Sequence, residues 1–239
     1  MRQLPKRSKL SSGTESRLVE ETKKITASDI PKEEADRIYA NARDTVWFRP
    51  VVRALKKLSG LGERCMFCSG SESSDVEHYR PKAVFPLLAM TWENYLWSCT
   101  PCNRVKSNQF PLAVDNSAVL INPLDENVWR YFYIDAFGNL TALWDVQRDD
   151  FNVRGKETAR IIGLDRQALQ ESRRSRMDDL KEKVHDTVSL LKSGEITVSA
   201  VRGRLSKWRK QPFQPDVADY FLNGPGRGEP PFKSLFDLL

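Results

Sequence analysis

The chain contains four cysteines, and all of them fall into two Cys-x-x-Cys pairs, Cys65/Cys68 and Cys99/Cys102, with thirty residues between the pairs. A two-residue gap lets one tight turn present both thiolates to a tetrahedral ion at about 2.3 Å. Two such turns close a four-sulfur site, so the spacing predicts a structural Zn2+ that ties residue 65 to residue 102. Disulfides, a redox pair and unrelated buried thiols are the alternatives. A redox motif needs one pair and leaves the other unexplained. Four thiolates leave no open position for water, so this ion is a frame and not a catalyst. The cysteines say how the segment is held together, not what it does.

Outside that segment the chain reads as mostly helical. Residues 1–28 are polar and read as an arm or a weakly held helix. Asp29-Ile30-Pro31 starts a helix that runs to about Ala42, with Glu33 and Glu34 in its first turn. A second helix, from Pro50 to about Ser59, sets Val51, Val52, Leu55 and Leu58 on one face and ends at Gly60. Val119-Leu120-Ile121 reads as a short strand, and residues 131–134 and 140–144 flank Gly138-Asn139 as a hairpin. A short helix over 155–162 stops at Gly163, and Asp165 caps a long one carrying Leu169, Met177, Leu180, Val184, Val188 and Leu191. Residues 198–210 repeat the helical pattern, and residues 223–231 form a turn or linker before the apolar ending PFKSLFDLL. The fold class expected is α+β, mostly helical, in three stretches: an N-terminal arm and helices over 1–60, a zinc-framed core over 61–112, and a β-hairpin with helices over 113–239.

Charge adds a weak pointer. Net charge is +6, which favours an anionic partner such as nucleic acid. Arg2, Lys6, Arg7 and Lys9 have no acid among the first ten residues, and Arg202, Arg204, Lys207, Arg209 and Lys210 crowd ten positions without one. Each run reads equally as a solvated helix face. Residues 61–111 hold five basic and five acidic side chains, so the segment with the unusual motifs is neutral. The first ten residues lack the apolar core of a signal peptide and no apolar run is long enough for a membrane span, so the chain is expected to be cytoplasmic.

The chemistry-bearing residues lie between and beside the cysteine pairs. One of only two histidines stands in Val76-Glu77-His78-Tyr79-Arg80-Pro81-Lys82. Then come Trp92-Glu93-Asn94-Tyr95-Leu96-Trp97-Ser98-Cys99 and Cys102-Asn103-Arg104-Val105-Lys106. The order Cys-x-x-Cys, acid-His-x-x-Pro, Asn-x-x-x-x-Cys-x-x-Cys-Asn-x-x-Lys resembles the HNH endonucleases of the cysteine-bearing type, over about residues 65–108. The wording of the motif and a chain of this length look like the PtuB-type HNH proteins, which serve in Septu systems and some retrons as the nuclease partner of an ABC-type ATPase, PtuA, in anti-phage defence.

That resemblance implies a small ββα-metal fold and a role for each position. His78 matches the general base that deprotonates the attacking water. Glu77 and Asn103 match ligands of a catalytic Mg2+ or Mn2+, and Asn94 the middle position that fixes a loop and orients the histidine. Lys106, on the helical face of Asn103, is expected to hold a phosphate, and Arg80, Lys82 and Arg104 the nucleic-acid backbone. The chemistry agrees. Phosphodiester hydrolysis wants an activated water, and a neutral imidazole contributes about 10²–10⁴ in rate. A hard cation with oxygen ligands steadies the transition state. Neighbours on a strand point to opposite faces, so Glu77 and His78 reach one site only if the strand ends or twists there.

Two departures stand out. Glu77 sits where aspartate is commoner, and Ala83-Val84-Phe85-Pro86 replaces the usual glycines. Set beside the nuclease reading are bland ones: His78 as a satisfied core histidine, Glu77 as a surface acid, Asn94 as a turn residue and Asn103 as a helix cap. His185, on a helix flank, takes the bland reading. DNA is the substrate the family's habit favours, with RNA such as a tRNA open. The rival from another class is a zinc-held module without catalysis that binds nucleic acid or protein, or an adaptor for the ATPase.

Overall fold

A computed structural model describes residues 1–239. The architecture is α+β and mostly helical, with three two-stranded antiparallel sheets. Three helices come first: α1 (Ser12–Thr26), α2 (Pro31–Ala42) and α3 (Arg49–Ser59). Of the two readings of residues 1–28, an arm or a weakly held helix, the helix forms, and it is firmly held. Ser11 caps α1 through Thr14, and Leu18 and Ile25, seven residues apart, are buried on one face. The same face of a helix returns after seven residues, so the signal was present but diluted by charged neighbours. α2 begins on Pro31 without a side-chain cap, so Asp29 does not cap it. α3 ends on Gly60 at φ 76, a left-handed position that glycine adopts without steric cost.

Two strands and a short helix follow: β1 (Asp75–His78), β2 (Tyr95–Ser98) and α4 (Thr100–Lys106). β1 and β2 pair antiparallel, with Glu77 opposite Leu96 and His78 opposite Tyr95. α3 packs on β2 and α4 returns against β1. The hairpin β3 (Phe132–Ile134) with β4 (Leu140–Ala142) forms as expected, turning at Asp135–Asn139 with Gly138 at φ 84. A second small hairpin, β5 (Trp144–Asp145) with β6 (Asp150–Phe151), was not foreseen.

Residues 119–121 are not a strand. The Val119 amide donates to the Pro111 carbonyl (3.1 Å) and the buried Ile121 amide to the Thr158 hydroxyl (3.0 Å), a helix side chain instead of a ladder partner. The remaining helices are α5 (Val153–Ile162), α6 (Gln167–Lys192), α7 (Val198–Arg209), α8 (Pro215–Leu222) and α9 (Phe232–Phe236). Gly163 closes α5 in the left-handed conformation, whereas Asp165 does not cap α6, which starts from Arg166. A buried ion pair, Arg173 to Asp216 (2.9 Å), ties α6 to α8.

One cluster of 50 buried residues runs from Met1 to Leu235, so the three stretches read from the sequence share a core. Phe232 and Leu235 of the apolar ending are fully buried in it. Those side chains therefore pack inside the chain and are not free to dock a partner. No helix is long and apolar enough to cross a membrane.

Candidate functional site

The frame of the site is the cysteine cluster. Cys65 and Cys68 lie in the turn before β1, while Cys99 and Cys102 bracket the start of α4. Their four sulfurs lie within 4.8 Å of one another, all buried, with no disulfide among them. Four thiols cannot all ionise there without a cation. Hydrogen bonds from neighbouring thiols, Cys102 first, hold Cys68 and Cys99 low, while burial pushes Cys65 up. Soft donors in this number fit a tetrahedral zinc ion. Around them the Gly70 amide donates to Cys68 Sγ (3.4 Å) and the Arg166 guanidinium to Cys102 Sγ (3.2 Å). Such donors offset the negative charge of a four-thiolate site and orient its ligands. Arg166 comes from the C-terminal half of the chain, and no spacing in the sequence announces it.

On this frame the chain brings Glu77, His78 and Asn103 together. Two adjoining cavities, of about 310 and about 370 Å³, share Glu77, His78, Lys82 and Asn103 as walls. His78 is the last residue of β1, so the strand ends where the sequence argument required. Its side chain is 6% exposed, with the Tyr39 ring edge-on at 4.5 Å between centroids and Tyr95 at 5.2 Å. His78 Nε2 lies 2.9 Å from the Ala89 carbonyl oxygen. A carbonyl only accepts, so Nε2 carries the proton and Nδ1 is the free acceptor. Burial lowers the His78 pKa to about 4, so the imidazole is neutral at physiological pH.

Glu77 is buried beside a cation. Lys106 Nζ donates to Glu77 Oε1 (2.6 Å) and to the His78 carbonyl (2.8 Å), and the Lys106 side chain is fully buried. Burial raises the Glu77 pKa and lowers that of Lys106, and each opposes the shift of the other. Asn94 is 4% exposed and closes the loop after His78: its oxygen accepts from the Arg80 amide (2.7 Å), and its nitrogen donates to the carbonyls of Arg80 and Leu88 (both 3.0 Å). Three bonds from one side chain fix both ends of the segment that carries Ala89 to the imidazole.

The four cations read from the sequence for a nucleic-acid backbone are placed unequally. Arg104 is exposed on the second cavity. The Lys82 ammonium pairs with Asp36 of α2. Arg80 turns its guanidinium over the rings of Phe85 (5.4 Å) and Phe110 (5.1 Å). Lys106, expected to face a phosphate, is instead the buried partner of Glu77, because an ammonium at the third position after Asn103 points back under β1. Part of the basic runs at the two ends is engaged as well. Arg7 donates to the Trp92 and Glu93 carbonyls, Arg204 to Thr187 and Arg209 to the Leu222 carbonyl. Tyr39 and Arg43, both from the region of α2, line the first cavity, and neither was singled out from the sequence because each stands more than 20 residues before the motif.

No protein-family profile matches the chain. It is similar to the Septu protein PtuB of Bacillus thuringiensis, 25% identical over 126 residues that make up 51% of this chain and 44% of that one. It is also similar to the Septu protein PtuB of Bacillus mycoides (strain KBAB4), 24% identical over 175 residues, 59% of this chain and 57% of the relative. The matched stretches thus span about half the length of these curated relatives. The chain is thus distantly similar in sequence to PtuB.

Proposed function

We propose that the chain is a metal-dependent nuclease of the HNH type, acting in a Septu-like anti-phage system beside an ABC-type ATPase partner. The observation that carries this reading is the convergence of Glu77, His78 and Asn103 on two adjoining cavities, with His78 held neutral and its proton on Nε2. The likeness to PtuB supports the system, and the residue types support the reaction.

His78 Nδ1 is the base. The Ala89 carbonyl fixes the tautomer, and Tyr39 and Tyr95 fix the ring plane. A pKa near 4 makes the resting imidazole a weak base. An arriving phosphodiester brings a negative charge beside it and stabilises the imidazolium, which moves its proton affinity towards the working range. A water between His78 and the phosphorus then gives its proton to Nδ1. Glu77 and Asn103 would hold a hard divalent ion, Mg2+ or Mn2+: Lys106 holds Glu77 Oε1, which leaves Oε2 as the carboxylate donor, and Asn103 lines both cavities. Such an ion, keeping several waters, would supply charge stabilisation for the phosphorane-like transition state and the leaving oxygen. Asn94 keeps the loop of Ala89 in register with the imidazole. A zinc ion held by the four cysteines would fix the distance between β1 and α4.

The test is cleavage of plasmid DNA and of total RNA by the zinc-loaded protein and by His78→Ala, each alone and with the ATPase, in Mg2+ or chelator. Metal-dependent cutting by the wild type that disappears in His78→Ala is the expected result, and it identifies the polymer. A folded wild type that cuts neither polymer under any of these conditions sinks the nuclease reading in favour of a zinc-held binding module.

A further inference from the structure

The cavity pair has two sides, and each carries a cation. On the first, Arg43 stands at the C-terminal end of α2 among the wall residues, with Tyr39, Asp44 and Asp75. On the second, Arg104 stands with Ser107 and Asn108. Lys106 is buried against Glu77 and Arg80 lies over aromatic rings, so neither competes for a ligand in these spaces, while Lys82, between the two spaces, pairs with Asp36. Arg43 is 60% exposed, and its ionic contact is with the adjacent Asp44 at 3.4 Å, itself 81% exposed. An exposed pair of that kind is worth little and releases its guanidinium readily. Asp44 and Asp75 face the same space, so an anion entering on that side needs an opposing charge, and Arg43 is the exposed cation at its α2 wall.

We infer that Arg43 binds the phosphate next to the scissile one on the α2 side, with Arg104 binding its counterpart on the other, so that the site takes an internal phosphodiester of a polymer flanked by phosphates on both sides. This rests on the nuclease reading for the scissile position, but Arg43 itself lies outside the cysteine-framed motif. A guanidinium suits the task, because it offers a phosphate two parallel donors. The N-terminal helices are thereby part of the substrate cleft and not only a support for it.

Binding separates this inference from the reading it rests on. Fluorescent oligonucleotides, unmodified or with one neutral methylphosphonate stepped along the strand, are titrated against His78→Ala with and without Arg43→Ala or Arg43→Lys. Arg43→Ala is expected to weaken binding about tenfold and to lower the salt slope by about 1, with Arg43→Lys keeping the slope. One methylphosphonate position should cost the Arg43-intact protein about as much and the Arg43→Ala protein nothing further. In turnover, Arg43→Ala should raise KM with kcat little changed. Equal affinities, slopes and methylphosphonate profiles with and without Arg43 overturn the inference, even if the wild type cuts. The expected binding pattern in a protein that never cuts upholds Arg43 and removes the nuclease. Thermal unfolding unchanged in Arg43→Ala, an exposed position, excludes a folding artefact.

Discussion

Lys106→Met is the perturbation with the clearest physical consequence. The Lys106 side chain is fully buried and that of Glu77 is 9% exposed, with 2.6 Å between ammonium and carboxylate. Removing one member of a buried, hydrogen-bonded pair leaves the other charged and unsolvated, at a cost of about 3–5 kcal/mol. Lys106 also serves the His78 carbonyl at 2.8 Å, and an orphaned buried acceptor falls within the same penalty. The methionine fills the lysine's hydrocarbon volume, so little of the loss comes from packing. Urea unfolding of the zinc-loaded protein followed by circular dichroism should show the midpoint falling with unchanged slope. Glu77→Gln in the Lys106→Met background should recover most of the loss, giving a coupling of about 2–3 kcal/mol in the double-mutant cycle. Mg2+ should stabilise Lys106→Met more than wild type, since the freed carboxylate gains a cation in place of the ammonium. A loss below about 1 kcal/mol, or strict additivity of the two changes, would refute the picture of a desolvated pair, because a solvated pair contributes only about 0–1 kcal/mol.

Acid should weaken the fold through His78. Its pKa drops from 6.5 to about 4 on burial, so between those values the unfolded chain binds the extra proton. Stability is therefore complete above about pH 6.5 and declines as pH falls towards 4, by about 3 kcal/mol in total. Denaturant melts at pH 7 and 4.5 should show that dependence in wild type and a shallower one in His78→Gln; equal slopes would contradict the burial argument. Chelation of zinc, or Cys68→Ser, should lower the midpoint of the chain's cooperative melt, and metal analysis should return one zinc per chain for wild type. Asn94→Ala removes three hydrogen bonds and should cost about 2–3 kcal/mol while exposing the Arg80 amide, read as fast hydrogen exchange across residues 79–90. Unchanged protection there would show that the loop holds itself.

The legible parts of this protein were those with short-range causes. Cys-x-x-Cys spacing, the apolar face of α3, Gly60 and Gly163 as helix stops and the stripe along α6 are consequences of local geometry, and each appears where the sequence puts it. The grouping of Glu77, His78 and Asn103 follows almost as directly. The cysteines fix β1 against α4, and the strand ends on His78. Misses arose where local and distant demands differ. The segment 119–121 has the composition of a strand, but the partner of its buried Ile121 amide is a threonine hydroxyl on α5. α1 is polar enough to read as an arm until Leu18 and Ile25 meet the core.

The sequence by itself determined the four-cysteine frame, the residue types of the site and the helical character of the rest, because these depend on contacts within a few residues or on two turns of matching spacing. Tertiary structure alone decided which charges are available. Whether an ammonium meets solvent or a carboxylate depends on desolvation by neighbours that are remote in the chain. Lys106 is buried under β1 and Lys82 is held by Asp36 of α2, while Arg43, distant from every motif, stands in the cleft. Burial energies are set by the whole surrounding volume, and no spacing rule along the chain encodes them.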